Sequence, residues 1–259
     1  MNPLVLITGA SNGIGKDMAI EFARRGHDLA LVARSKSALE AVSKEINTQF
    51  QVQTHSIAMD LSLPDSAKAL YEEICRRDLH VEILVNNAGF GELGSFSEMD
   101  DATIAGMITL NIHTLTMLCR YFVPFMIQKK NGRIMNVASL AAFQAGPYMS
   151  VYYASKAYVL HFTEGLAKEL EDTEVTVSAL CPGPTHTGFG NRAHVSDKLL
   201  FKIPGFQMQS KDVARIGVDG LMKGKTVIIP GLVNKITAQS SRIALRSLSR
   251  NIVARLHKN

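Results

Sequence analysis

The stretch Leu4-Val5-Leu6-Ile7-Thr8-Gly9-Ala10-Ser11-Asn12-Gly13-Ile14-Gly15 decides the architecture of this chain. Its first four residues form an apolar run that reads as a buried strand. Three glycines then crowd one turn. Ile14, Met18 and Phe22 follow at helical spacing over Gly13–Arg25, and Gly26 stops the helix. Glycine lets a backbone approach a ligand closely, and a helix start offers free N–H groups and a positive dipole end. Strand, glycine turn and helix in this order predict a pocket for a pyrophosphate.

Working outward, short apolar runs alternate with longer amphipathic ones. Strands are expected at Asp28–Ala33, Val52–Ile57, Ile83–Asn86, Arg133–Val137, Val175–Leu180 and Thr226–Ile229. Helices are expected at Lys36–Gln49, Pro64–Arg77, Asp101–Gln128 with a kink near Pro124, Ser150–Leu170 and Asp212–Met222. Such strands, spaced by helices, predict an α/β chain with one doubly wound parallel sheet of about seven strands, helices on both faces, in a single domain. The pattern shows no linker composition and no internal repeat.

The 259 residues are 46% apolar and 20% charged, the balance of an ordinary globular protein. Cys75, Cys119 and Cys181 are too few and too scattered for a disulfide framework or a zinc site, and no metal site is expected. The chain opens on too short an apolar run for a signal segment, and no apolar stretch of about 18 residues is evident. A cytoplasmic location is expected. The net charge of +5 belongs to the end of the chain. Residues 234–259 hold six basic residues and no acidic one, leaving 22 basic against 23 acidic elsewhere. That distribution argues against a nucleic-acid partner for the domain.

Tyr152 and Lys156 lie four apart in the expected helix Ser150–Leu170, so they share a face. An ammonium beside a phenol favours the phenolate, and the pair is expected to lower the tyrosine pKa. Tyr153 has only Ala157 at the equivalent position.

In combination these motifs resemble the short-chain dehydrogenase/reductase superfamily. The resemblance rests on Thr8-Gly9-x-x-x-Gly13-x-Gly15, Asn86-Asn87-Ala88-Gly89 after strand four, Asn111, Ser139 after strand five, Tyr152 thirteen residues later with Lys156, and Cys181-Pro182-Gly183-Pro184-Thr185-His186-Thr187 after strand six. It spans residues 4 to about 230. Ala138 stands where many members carry a second serine. The resemblance implies a Rossmann-type fold and hydride transfer between a nicotinamide and a carbonyl–alcohol pair. It implies Tyr152 as general acid/base, Ser139 orienting the substrate oxygen, Lys156 tuning the phenol and bonding the nicotinamide ribose, and Asn111 holding a water. Gly9, Ser11, Asn12, Gly13, Ile14 and Gly15 would cradle the cofactor. So would Asn87, Ala88, Gly89, Pro182 and Gly183, with Thr185 and Thr187 reaching the nicotinamide half and Asp60-Leu61 bounding the adenine.

Strand two ends Ala33-Arg34-Ser35-Lys36, with no carboxylate where members preferring the unphosphorylated cofactor place one. A guanidinium can pair with a 2′-phosphate bidentately, so Arg34 selects NADP(H). The substrate pocket is expected from Phe90, Leu93 and Phe96, from Phe143, Gln144, Tyr148 and Met149, and from a loop over 188–206 holding Phe189, Leu199, Leu200, Phe201, Ile203 and Phe206. These linings favour a hydrophobic ketone or acyl group. Arg192, His186 and His194 are read as solvated. Two further readings stand beside this one: a dehydrogenase of 3-hydroxy acids, and a dinucleotide-binding regulator without catalysis. The long helices are apolar on more than one face, and in family members they pair across two-fold axes, so a homodimer or homotetramer is expected. Residues 1–233 form the catalytic domain. Residues 234–259 read as a basic amphipathic tail, with Arg242, Arg246 and Arg250 four apart, expected to lie on an anionic membrane surface, bind an acidic partner or dock on a neighbouring subunit.

Overall fold

The computed structural model describes residues 3–193, 207–243 and 246–258. Strands β1 (Leu4–Thr8), β2 (Asp28–Ala33), β3 (Thr54–Ala58), β4 (Val81–Asn86), β5 (Gly132–Val137), β6 (Val175–Leu180) and β9 (Val227–Ile228) make one parallel sheet in the order β3-β2-β1-β4-β5-β6-β9. The order reverses between β1 and β4, so a crevice opens beyond the carboxyl ends of those strands. A separate pair, β7 (Thr185–His186) and β8 (Met208–Gln209), brackets the short helix α7 (Phe189–Arg192) and the segment outside the described residues. The expected loop 188–206 falls mostly there, with His194, Leu199, Leu200, Phe201, Ile203 and Phe206.

Side chains alternate across the sheet as a strand requires. Val5 and Ile7 face a layer formed by α1 (Gly13–Arg24), α2 (Lys36–Gln49) and α8 (Ser210–Met222), with Met18, Phe22, Leu39 and Val218 in its core. Leu4 and Leu6 face the opposite layer of α3 (Ser66–Arg76), α5 (Leu115–Lys129) and α6 (Ser150–Glu169), around Leu70, Phe122, Met126 and Val159.

The long helical pattern behaves differently from its expectation. Helix α4 (Asp101–Ile108) passes through a π-helical turn, Thr109–Thr114, into α5, and α5 continues past Pro124. The irregularity therefore sits at Asn111 and not at the proline. Arg120, whose carbonyl the proline leaves without its usual donor, is exposed. The combined helix of 29 residues is long and apolar enough to cross a membrane by length and composition, contrary to the sequence expectation. Here it packs on the sheet, with Leu118, Cys119, Phe122 and Met126 in the core.

A buried polar relay ties β4, β5 and α6 together. Asn86 Nδ2 donates to Asn136 Oδ1 at 2.9 Å, and Asn136 Nδ2 donates to Thr163 Oγ1 at 3.0 Å. Asn136 is fully buried. An Asn136→Ala variant leaves both partners short of a bond and is expected to lose about 2–4 kcal/mol of stability in a urea titration.

The basic tail divides into α9 (Leu232–Ile243) and α10 (Arg246–Lys258). Leu232, Val233 and Ile236 are exposed, while Val253 and His257 of α10 are buried against the body of this same chain. The side chain of Arg242 lies outside the described residues.

Candidate active site

The turn after β1 is locked from beneath. Thr8 Oγ1 accepts from the backbone N–H of Asn87 and of Ala88, both at 3.0 Å, and donates to Val85 O at 3.3 Å. Asn87 Nδ2 donates to Thr8 O at 2.9 Å and Gly9 O at 3.2 Å. Gly9 has φ +68°, and a Cβ there would lie 2.8 Å from Asn87 Nδ2. A Cβ on Gly15 would overlap the Gly9 carbonyl oxygen and Asn87 Nδ2. The glycines thus let the chain fold back on itself and leave the start of α1 open. Asn12 caps that helix, its side chain accepting from Gly13 N at 2.7 Å. Thr187 and Gly188 arch above, against Gly13 and Asn12.

One cavity of about 880 Å³ runs from this turn to helix α6. It is lined by Gly9, Ser11, Asn12, Gly13, Ile14, Arg34, Asp60, Leu61, Asn87, Ala88, Gly89, Pro182, Gly183, Thr185 and Thr187, and at its other end by Ser139, Tyr152 and Lys156. Two residues expected at the site do not line it. Gly15 packs behind the turn. Asn111 is buried behind Gly89, its Nδ2 donating to Phe90 O at 2.9 Å and Ser155 Oγ at 3.0 Å while its Oδ1 accepts from Phe90 N at 3.1 Å. The side chain of Asn111 therefore holds the strand-four segment against α6. Of the expected substrate residues, Phe90, Gln144, Met149 and Phe189 line the cavity; Leu93, Phe96, Phe143 and Tyr148 do not. Phe96 is 65% exposed.

Ser139 caps a short 3-10 turn, Leu140–Phe143, its Oγ accepting from Ala141 N at 3.1 Å. The same side chain hydrogen-bonds Tyr152. The Tyr152 ring lies against Phe189, centroids 5.3 Å apart. Lys156 Nζ donates to Val137 O at 2.8 Å and sits 5.8 Å from the Tyr152 ring centroid. This geometry corrects the expectation of an acidified phenol. Burial pushes Tyr152 up to about 12, and only the Ser139 bond pulls the other way. Burial also pushes Lys156 down to about 8. The ammonium is committed to a backbone carbonyl, and desolvation of both groups outweighs their mutual effect.

At the other end Arg34 and Ser35 edge the cavity, with Ala33 between them and the sheet. Lys36 is instead paired with Glu40 at 3.9 Å on the exposed surface. Burial raises the Asp60 pKa, but bonds from the Ser62 side chain and N–H, with the charges of Arg34 and Arg192, more than offset this, so Asp60 stays a carboxylate acceptor. Arg192 is exposed, as expected from sequence, and also lines the cavity, with its guanidinium 4.6 Å from the Phe90 ring centroid. Burial, then the facing charge of Arg34, lowers its pKa. Sequence reasoning also missed Thr237, Ile252, Val253, Leu256 and His257, which line the substrate end. Only their amphipathic spacing was visible, and spacing does not say where a helix docks. Among the described residues no cluster of His, Cys, Asp or Glu is placed to hold a metal.

The residues fit a dinucleotide: the glycine cradle admits no Cβ, a capped helix start faces the groove, and the cavity is long. The family model for short chain dehydrogenase matches residues 3–197. The chain belongs to the short-chain dehydrogenase/reductase family and is an oxidoreductase of CH–OH/C=O groups that uses a nicotinamide dinucleotide. It is similar to a 7beta-hydroxysteroid dehydrogenase of Clostridium sardiniense, 30% identical over 253 residues, covering 98% of this chain and 94% of that one. Hydroxysteroid dehydrogenase-like protein 1 of Gallus gallus is 34% identical over 202 residues, covering 77% of this chain but only 60% of the longer relative. Among solved structures, a short-chain dehydrogenase from Sphingobium yanoikuyae in complex with NADPH superposes with a TM-score of 0.83 at 35% identity, over 95% of each chain.

Proposed function

We propose that the chain is an NADPH-dependent reductase of bulky apolar ketones. The observation that carries this reading is the single cavity joining an arginine-edged dinucleotide groove to Ser139, Tyr152 and an apolar end closed by Phe189, Val253 and Leu256. A bound nicotinamide supplies the hydride. The protein's own residues handle the oxygen. Ser139 Oγ donates to the substrate oxygen and orients it. Tyr152 Oη, protonated across the physiological range because burial holds it near 12, delivers the proton to that oxygen. This protonation state favours reduction at neutral pH. In the reverse direction the phenol must first lose its proton, so alcohol oxidation rises with pH. Asn111 and Ser155 fix the Phe90 segment against α6, which holds the cavity's width.

The similarity to a hydroxysteroid dehydrogenase supports a bulky apolar substrate, and the similarity to an NADPH complex supports the phosphorylated cofactor. Following absorbance loss of NADPH against a panel of small and polycyclic ketones tests the reading; binding of NADPH with no turnover on any of them contradicts it. For the cofactor, Arg34→Asp replaces a cation at the groove edge by an anion. Its Kd for NADPH is expected to rise about 100-fold, the weight of a charge-assisted hydrogen bond plus repulsion, with NADH affected less than about threefold. Equal losses for both cofactors would contradict selection by Arg34. We propose in addition that the chain is a homo-oligomer, since Ile108, Ile127 and Tyr158 of the long helices are exposed. Light scattering at micromolar concentration reads this, and a monomer would contradict it.

A further inference from the structure

The last helix, α10, forms the far wall of the cavity, and four of its contacts converge on one short stretch of chain. Ser249 Oγ donates to Gln144 Oε1 at 3.2 Å. Lys258 Nζ stands 5.9 Å from the Tyr148 ring centroid. His257 Nδ1 lies 2.7 Å from Pro147 O, and its Nε2 lies 3.2 Å from Tyr153 Oη. Gln144, Pro147 and Tyr148 lie on the span that connects Ser139 to Tyr152, and Tyr153 follows directly after it.

The His257 contacts define a direction. A carbonyl oxygen only accepts, so Nδ1 carries the proton; in the neutral ring Nε2 then accepts, and the Tyr153 hydroxyl donates to it. The two rings also meet edge to face, centroids 5.5 Å apart at 78°. Tyr153 is thereby turned toward the tail, and its own ring stands 6.1 Å from that of Tyr152. His257 is 4% exposed, and Val253, one turn earlier on the same face, is 3% exposed. Ile252, Val253 and Leu256 present the apolar surface that a bulky substrate would meet.

We propose that His257 is a positioning residue that pins α10 to Pro147 and Tyr153, and that the wall so fixed selects large apolar ketones over small ones. This proposal deepens the reductase reading of the site and rests on it. A large substrate draws binding from the α10 wall; a small one bound at Ser139 and Tyr152 does not reach it. Loosening the wall therefore raises KM for the large substrate and leaves the chemistry at Tyr152 alone.

The test compares wild type, His257→Phe and His257→Gln. Phenylalanine keeps the ring and loses both bonds, whereas glutamine keeps one donor and one acceptor. For His257→Phe, KM for a polycyclic ketone is expected to rise about tenfold, the weight of one to two net hydrogen bonds, with kcat, KM for a small cyclic ketone and the fluorescence Kd for NADPH each within about twofold. His257→Gln is expected to recover most of the loss. Equal changes for both ketones, or none for either, would overturn the selecting role. Amide hydrogen exchange over residues 246–258 supplies a readout that needs no substrate. Faster exchange in His257→Phe than in wild type is expected, and unchanged exchange overturns the pin itself. If wild type binds NADPH and reduces no ketone, the reductase reading falls, and the exchange result still decides whether His257 holds the helix.

Discussion

Tyr152→Phe is expected to lower kcat for ketone reduction by about 10²–10⁴-fold, the usual weight of a positioned general acid. The substitution removes one oxygen. The ring, its contact with Phe189 and the volume of the cavity remain. Binding of NADPH should therefore be unchanged within about twofold by fluorescence titration, because Tyr152 lies at the end of the cavity away from Arg34 and Asp60. Loss of kcat with intact cofactor binding is the signature of a group that acts on the reacting oxygen. A Ser139→Ala variant does not substitute for this experiment, since Ser139 also caps the turn Leu140–Phe143 and its loss disturbs the backbone.

Lys156→Met is expected to pull stability and activity in opposite directions. Lys156 lines the cavity with its ammonium 5.8 Å from the Tyr152 ring centroid, and a charge-assisted bond from it to the nicotinamide ribose, as the family resemblance implies, would be worth about 1.5–3 kcal/mol. Its removal is expected to reduce kcat/KM by about 100-fold. The same buried charge burdens the fold. Burial lowers the Lys156 pKa from 10.5 to about 8, so below pH 8 the folded protein carries an ammonium it would rather lose, at a cost on the order of 3 kcal/mol. Methionine removes that cost and leaves Val137 O without its donor, which returns about 1–3 kcal/mol. A net gain of up to about 2 kcal/mol at pH 7 is expected for the variant, read as a higher urea midpoint. The sign of the pH dependence follows from the lowered pKa. Between about 8 and 10.5 the unfolded chain holds a proton that the folded one has released, so wild-type stability rises with pH across that window. The advantage of Lys156→Met should shrink there and reverse by its upper end, where the neutral amine still donates to Val137 O. An advantage that stays constant from pH 7 to 10.5 would contradict a buried, titrating lysine.

The local parts of this molecule were legible in its sequence. Gly9, Gly13 and Gly15 sit within a few residues of each other, and a strand followed by a crowded turn leaves few conformations. The alternation of Leu4 and Leu6 with Val5 and Ile7 likewise carries the two-layer packing in the residues themselves. What the sequence hid depends on distance along the chain. Lys156 could be placed beside Tyr152 by helical spacing, but its bond to Val137 O depends on where α6 meets the end of β5. Without that bond and the depth of burial, the expected fall in the Tyr152 pKa had the wrong sign. Asn111 was visible as an asparagine in a helix. Its clamp on Phe90 and the π-helical turn around it were not, because a π turn has no residue signature. Arg192 is exposed, as the sequence suggested, but that it also edges the cavity near Arg34 and Asp60, more than a hundred residues away, could not be read from its neighbours. The tail was read as standing apart for the same reason. Its basic residues were plain, whereas His257 finds its partners about 110 residues back along the chain.

The central claim is that hydride passes from the nicotinamide to a carbonyl held at Ser139 and Tyr152. Incubating the protein with NADPH carrying deuterium on one face of nicotinamide C4, and separately on the other, with a polycyclic ketone tests it directly. The alcohol product should carry one deuterium on its carbinol carbon with one of the two labelled cofactors and none with the other. Bound NADPH that leaves no deuterium in any alcohol, from either face, would contradict the account.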